Sequence, residues 1–410
     1  MLRIGNVIGE CWSGRARDCL CGFLEQQLRR RHIFLLRLAL GAIALSGTAY
    51  LAHLFLGDPD LGAFFVWDVV SVWFWELLLV GGYFSLGQFL TAHLGLPQDR
   101  NPAERRMIAA ALGVTAYVLI SLLLGVLSLY RPSVAVLVPT LLLGLSGRRW
   151  FFALRAMLLR PPLLHLTPLQ SAVACFGLLA AALLYLPLLS PASVSTDAAW
   201  FHLSTAEEYA RQGRMVPFYG DWAKSIPQLT SLLQVYAFLV PGLEEPQRWV
   251  LALHTEFVLV LFTLQGITVF SRYLAQGLPS RFAWVVFCLF PSVYIYDSNL
   301  GGAADHAAAF FAIPHALYVL RFVKSPNRRD AALAGVFAGA SFLTKLQASY
   351  LFSPLVLVQV AALLWASLRK RQIDWNRSLD SGLYFATFLL AFRRTSSRTG
   401  FITRIPCTRS

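Results

Sequence analysis

The sequence predicts an all-α, polytopic membrane protein with about eleven transmembrane helices and a folded loop on the outer side of the membrane. Of its 410 residues, 57% are hydrophobic and only 14% are charged, whereas soluble domains contain about 25% charged residues. Apolar runs of about 20 residues recur along the chain, and a helix of that length crosses a ~30 Å hydrocarbon core. A transmembrane β-barrel would instead show alternating segments of roughly ten residues.

The predicted spans fall into an N-terminal group within 33–169 and a C-terminal group within 170–392. The first group contains 33–56, 64–90, 107–129 and 133–147. The second contains 170–190, 248–275, 281–297, 303–323, 330–347, 349–368 and 380–392. Residues 1–32 are polar, lack a signal-peptide cleavage site and are expected in the cytoplasm. The basic tail, 393–410, follows a short last span, and we expect it to be a truncated or out-of-frame end.

The distribution of charge predicts which loops face the cytoplasm. The net charge of +14 lies largely between apolar runs, as is typical of cytoplasmic loops, and does not indicate nucleic-acid binding. Alternation of basic and non-basic connections places the loop 191–247 outside. This holds only if the segment 226–241 does not cross, and its roughly 14 apolar residues are short for a span. We therefore predict a re-entrant or interfacial helix, started by Pro227, that packs the loop onto the bilayer.

The six cysteines are scattered and imply no disulfide framework. Cys11, Cys19 and Cys21 lie close together, but their spacing fits no common structural zinc site, which favours unpaired thiols over a metal cluster. The sequence indicates no specific cofactor and leaves a divalent metal ion open.

The stretch 195–229 of the outer loop has the highest density of polar and aromatic side chains in the chain. Its candidate functional residues are Asp197, Trp200, His202, Glu207, Glu208, Tyr209, Arg211, Arg214, Tyr219, Asp221, Trp222, Lys224 and Gln228. Interleaved rings and paired charges indicate a folded surface that binds a polar molecule. We expect Thr196 to cap a helix whose N-terminus keeps Asp197 ionised. His202 follows five residues later, about 140° around an α-helix, and is therefore predicted to lie on a different face.

A second polar site is predicted on the same side of the membrane. Gly301 and Gly302 permit a tight turn, after which Asp305 and His306 begin a helix. Asp305 is either an acid stabilised by the free N–H groups of that helix or a second carboxylate that faces Asp197 across an external cavity. The sequence leaves both alternatives open.

Three further charged residues need an explanation. Lys345 ends a helix in which Gly335 and Gly339 permit close helix contact. Its outer position opposes the charge bias of the chain, and either an anionic ligand such as a phosphate or snorkelling to the interface explains it. Glu76 and Glu256 lie at membrane depth without an identifiable partner, and a role in helix packing is favoured over catalysis.

In order and sidedness, these motifs resemble the integral-membrane glycosyltransferases of the GT-C type, particularly the bacterial Rgt-like branch related to protein mannosyltransferases. The matching residues are Asp197-Ala-Ala-Trp-Phe-His202, Glu208-Tyr209, Gly213-Arg214, Pro227-Gln228-Leu229, Asp305, Gly335-Val-Phe-Ala-Gly339 and Thr344-Lys345. The resemblance covers about residues 170–392 and does not account for the spans within 1–169.

The resemblance implies transfer of a hexosyl or pentosyl group from a polyprenyl-phosphate donor to a glycan, lipid or protein acceptor, at the outer face of a bacterial inner membrane. It implies that Asp197 and Asp305 are catalytic, with Asp197 as the base. The substrate-binding residues would be Trp200, His202, Glu208, Arg211, Arg214, Gln228, His306 and Lys345. The alternative function is a membrane transporter or flippase of a lipid-linked or anionic substrate, but the internal repeats typical of transporters are not evident.

Overall fold

The computed structural model describes residues 59–96, 101–146, 166–218, 224, 228–275, 283–288, 300–370, 382–384 and 386. The chain divides into two compact units, 1–68 and 69–410, and the account below concerns the second, apart from the first residues of helix α1. Several predicted features lie outside the described residues. They are the segment 1–32, the first span 33–56, the cysteines Cys11, Cys19 and Cys21, and the tail 393–410.

Every regular element among the described residues is helical, which confirms the predicted all-α class. The helices before the polar loop are α1, Pro59–His93; α2, Pro102–Val126; α3, Pro132–Gly144; and α4, Pro168–Tyr185. Those within and after the loop are α5, Leu203–Gln212; α6, Leu229–Leu239; α7, Glu245–Leu274; α8, Ala283–Cys288; α9, Asp305–Lys324; α10, Arg328–Thr344; and α11, Ser349–Lys370.

Five helical segments are long and apolar enough to cross a membrane, which supports an integral membrane protein. They are Trp67–His93, Pro102–Val126, Pro168–Leu189, Glu245–Leu274 and Asp305–Lys324. The predicted span 133–147 corresponds to α3, whose 13 residues extend only about 20 Å. The total of about eleven crossings stays a prediction, since other segments are also short or lie outside the described residues.

The surface of α4 shows the burial pattern expected of a lipid-facing helix. Only 11% of its apolar stretch is buried, and large side chains such as Leu178 and Leu183 are exposed. Helix α11 likewise exposes Leu357 and Trp365. Continuous apolar surface of this kind is rare on soluble proteins, but it requires no cover in hydrocarbon.

Helices α1 and α2 touch backbone to backbone through two glycines. A Cβ atom added to Gly87 would overlap the carbonyl oxygen of Ala109, and one added to Gly113 would overlap that of Tyr83. Small residues at helix interfaces let membrane helices approach this closely. Side chains at these two positions would force the helices apart.

Helix α6 lies inside the protein. All eleven of its residues are buried, and its length of about 16 Å is too short to cross a bilayer. Ser121 donates a hydrogen bond to the carbonyl of Leu232 at 2.8 Å, and Tyr236 donates one to the carbonyl of Trp75 at 3.0 Å. Because all its residues are buried, α6 presents no free apolar face to lipid. The re-entrant and interfacial alternatives both stay predictions, and Pro227 lies outside the described residues.

The structure supplies partners for the two acids at membrane depth, which the sequence did not identify. Glu76 accepts a hydrogen bond of 2.8 Å from the hydroxyl of Thr255. Glu256 bonds to a turn and to a histidine described below. Elsewhere, Glu104 at the start of α2 pairs with Arg321 near the end of α9 at 2.6 Å. Each of these carboxyl groups has at least one hydrogen-bond or ion-pair partner, which lowers the cost of burying it.

Candidate active site

Helices α9 and α10 form an antiparallel hairpin that brings Asp305 to Lys345. Asp305 is the first residue of α9, and Lys345 directly follows α10. The Lys345 ammonium donates hydrogen bonds to both carboxylate oxygens of Asp305, at 3.0 and 2.9 Å. A carboxylate at a helix N-terminus and a cation at a helix C-terminus are each favoured by the helix dipole. Asp305 is therefore both a helix-starting acid and one half of an ion pair.

The second carboxylate at Lys345 is Asp197. Its Oδ2 atom lies 4.0 Å from the Lys345 Nζ atom, and 59% of its side chain is exposed, against 47% for Asp305. The two carboxylates thus flank a single ammonium and both reach the surface. Asp197, Asp305 and Lys345 are called the acid–lysine cluster below. The two carboxylate neighbours account for the charge of Lys345 at the end of α10.

A π-helical turn changes the placement of His202. The segment Ala198–His202 is a π-helix, in which the Leu203 N–H bonds to the carbonyl of Ala198. Its bonds join residues five apart, so a residue five positions on returns nearer to the same face than in an α-helix. The prediction that His202 and Asp197 lie on different faces assumed α-helical geometry, but it agrees with their burial, since the Asp197 side chain is exposed and His202 is buried. The helix cap also differs: Ser195 rather than Thr196 accepts the N–H of Ala198, at 3.2 Å.

His202 is a buried, neutral imidazole beside the acid–lysine cluster. Burial and, secondarily, the positive charge of Lys345 lower the pKa of His202 from 6.5 to about 4, while Asp305 and Asp197 partly oppose this shift. Its Nδ1 atom lies 3.5 Å from the hydroxyl of Ser231 on α6. At neutral pH it can exchange hydrogen bonds with a ligand but adds no charge.

The turn before Asp305 is held by Glu256, a residue to which the sequence analysis assigned no partner. One carboxylate oxygen accepts the Gly302 N–H at 2.7 Å, and the other lies 2.8 Å from the His306 Nδ1 atom. His306, a predicted substrate contact, is thus directed at Glu256. The sequence contains one signal for a role of Glu256: an acid at membrane depth generally marks a functional site.

Other predicted substrate-binding residues make contacts outside the cluster. Arg211 bonds to Glu208 at 2.8 and 2.9 Å, and these bonds lower the pKa of Glu208. Gln228 accepts a 2.5 Å hydrogen bond from Tyr209 and donates to the carbonyl of Lys224. The guanidinium of Arg211, a predicted substrate-binding residue, is thus held by a neighbour on the same helix.

Two predicted binding residues are exposed. Trp200 lies in the π-helical turn beside Asp197, with 67% of its surface exposed, and its ring contacts that of Phe201 edge to face. Arg214 is exposed and follows Gly213, whose left-handed backbone ends α5. Trp222 lies outside the described residues. Trp200 follows Asp197 by three residues, and its exposed ring is accessible to a ligand.

The acid–lysine cluster and the neighbouring His202 combine two solvent-accessible carboxylates, a cation and a neutral imidazole, which suit proton abstraction and anion binding. In the part of the chain that the structure describes, no group of three or more His, Cys, Asp or Glu residues is arranged to hold a metal ion. The chain has no significant match to a protein-family model, a curated protein or a solved structure. The side chains of the acid–lysine cluster and His202 are therefore the basis for a functional proposal.

Proposed function

We propose that the chain is an integral-membrane glycosyltransferase of the GT-C type that transfers a sugar from a polyprenyl-phosphate donor to an acceptor. The observation that supports the proposal is the acid–lysine cluster, which unites residues from the polar loop, the start of α9 and the end of α10. These are the positions at which the sequence resemblance expects catalytic acids and a phosphate-binding cation.

The proposed reaction is a single displacement. Asp197 takes the proton of the acceptor hydroxyl, whose oxygen bonds to the donor's anomeric carbon as the bond from that carbon to the phosphate oxygen breaks. Lys345 stabilises the negative charge of the departing polyprenyl phosphate. Asp197 is the better base because it lies 4.0 Å from Lys345, whereas Asp305 accepts both lysine hydrogen bonds. Asp305 then orients the lysine.

Neighbouring residues would bind the substrates. The exposed ring of Trp200 can stack on a sugar, and the neutral His202 can hydrogen-bond a hydroxyl group. Arg214 is exposed and available to a phosphate, while Glu208 and Arg211 would act as a pair. In this proposal the loop 191–247 lies on the outer face of a bacterial inner membrane, within a topology of about eleven crossings.

A release assay tests the proposal. The full chain, purified and reconstituted in vesicles, is given a panel of radiolabelled polyprenyl-phosphate sugars, and the release of polyprenyl phosphate is measured with and without acceptor lipid extract. We expect release with at least one donor, and its loss in the variant Lys345→Met. If no donor yields polyprenyl phosphate or labelled acceptor, the proposed glycosyltransferase activity is refuted.

A transporter or flippase is the second candidate, favoured by the buried acids Glu76 and Glu256 in two spanning helices. Ionisable residues within membrane spans mark proton or substrate pathways in transporters. The same vesicles separate the two functions. A transporter would move the labelled lipid between leaflets without releasing polyprenyl phosphate.

A further inference from the structure

The turn at Gly301 and Gly302 joins the two segments that carry the acids. The Ser195 N–H donates a 2.9 Å hydrogen bond to the carbonyl of Gly301, and the Gln234 side chain donates one of 3.3 Å to the carbonyl of Gly302. Gly302 has a φ of 85°, which favours glycine. Ser195 lies two residues before Asp197, so the position of this turn affects both acids.

Glu256 anchors this turn from inside the membrane-spanning helix α7. The residue is 2% exposed, and its two oxygens bond to Gly302 and His306. These partners lie three residues before and one residue after Asp305. A carboxylate that only packed helices together would bond to the side of a facing helix. The Glu256 carboxylate instead bonds to a turn and to the first turn of α9.

We propose that Glu256 is a positioning residue, which fixes Asp305 relative to Asp197 by holding the turn at Gly301 and Gly302. The hydrogen bonds run without a break from Glu256 to Gly302 and from Gly301 to Ser195. Loss of the carboxylate frees the turn and the start of α9 together. The positional claim is independent of the reaction, whereas its catalytic consequence rests on the proposed function.

Hydrogen exchange of the full chain in detergent tests the positional claim. In Glu256→Ala, peptides that cover 193–197 and 300–306 should exchange at least about tenfold faster, because hydrogen bonds to a charged group are lost. Glu256→Gln should stay within about threefold of the parent, since its carbonyl can accept from Gly302 and its amide can donate to a neutral His306. The matched control is Glu76→Ala, which removes another buried acid that does not contact the turn.

Unchanged exchange at both peptides in Glu256→Ala would overturn the proposal, as would an equal effect of Glu76→Ala. If Glu256→Ala does not fold, His306→Ala removes one of the two bonds and should accelerate exchange about threefold at 300–306. Exchange equal to that of the parent would then overturn the proposal.

Kinetics test the catalytic consequence. Glu256→Ala should lower kcat for transfer at least about tenfold and leave KM for the donor within about threefold, because misplacement of the acids affects the transition state more than donor binding. Glu256→Gln should restore most of the rate, which a merely structural loss would not predict. If the parent itself transfers no sugar, the proposed function fails while the exchange result still decides the role of Glu256.

Discussion

Replacement of Asp197 by Asn should separate catalysis from stability. The Asp197 side chain is 59% exposed and lies 4.0 Å from Lys345, so the ion pair contributes at most about 1 kcal/mol to folding. A positioned base contributes at least ~10²-fold to turnover, which corresponds to about 2.7 kcal/mol of activation barrier. We therefore expect Asp197→Asn to remain folded and bound to donor, with turnover lowered at least ~10²-fold.

The assay is the initial rate of polyprenyl phosphate release at saturating donor, with thermal unfolding and donor binding measured in the same detergent. The control is Glu245→Gln, an exposed acid in the first turn of another helix. Its turnover should stay within about twofold of the parent because surface changes away from a site have small effects. His202→Ala should lower turnover less than Asp197→Asn, since a neutral contact contributes less than a base.

One result would refute the assignment of Asp197 as the base: Asp197→Asn keeps the turnover of the parent and Asp305→Asn abolishes it. The base would then be Asp305, at the start of α9. If instead both variants lost activity in proportion to their thermal stability, the cluster would be structural.

Three further predictions concern stability and topology. The pKa of His202 is lowered to about 4 in the folded protein, so His202 binds a proton more readily in the unfolded protein. Above pH 6.5 the side chain is neutral in both states and costs no stability. As the pH falls from 6.5 towards 4, protonation of the unfolded state lowers the free energy of unfolding. The parent should lose about 3 kcal/mol more than His202→Leu over this range in unfolding experiments, and parallel stability curves would contradict the burial argument. Gly87→Ala should destabilise the protein by at least about 1–3 kcal/mol through overpacking, whereas Gly144→Ala, with no atom within 4 Å of the new methyl group, should unfold like the parent. Single cysteines at Gly220 and Glu245 in a cysteine-free variant should both react with an impermeant reagent from outside, and labelling of position 245 only after permeabilisation would show that α6 crosses.

The pairing of Asp305 with Lys345 could be derived from the sequence. Helices α9 and α10 have 20 and 17 residues and are separated by only three residues, 325–327. A connection this short requires neighbouring antiparallel helices. The start of the first helix and the end of the second therefore lie at the same end, together with their two charges.

The placement of His202 and of Glu256 could not be derived in this way. A π-helical turn contains one extra residue and has no compositional signal, so the angle between Asp197 and His202 cannot be calculated from α-helical geometry. Glu256 bonds to Gly302, 46 residues away. Apolar residues occur on every face of helix α7, and its hydrophobic pattern therefore does not reveal which face packs against the turn.

The exposed surface of α4 also determines which amino-acid substitutions this helix tolerates. Where a side chain such as that of Leu178 or Leu183 faces hydrocarbon, its shape is unimportant and only its solubility in lipid is constrained. Gly177 is different because a Cβ atom there would overlap the ring of Trp284. Random substitution along the exposed face of this helix should consequently yield a broad tolerance for aliphatic and aromatic residues. The tolerance should be interrupted at Gly177, which lacks room for a side chain, and at Tyr185, whose hydroxyl bonds to Trp73 and His254.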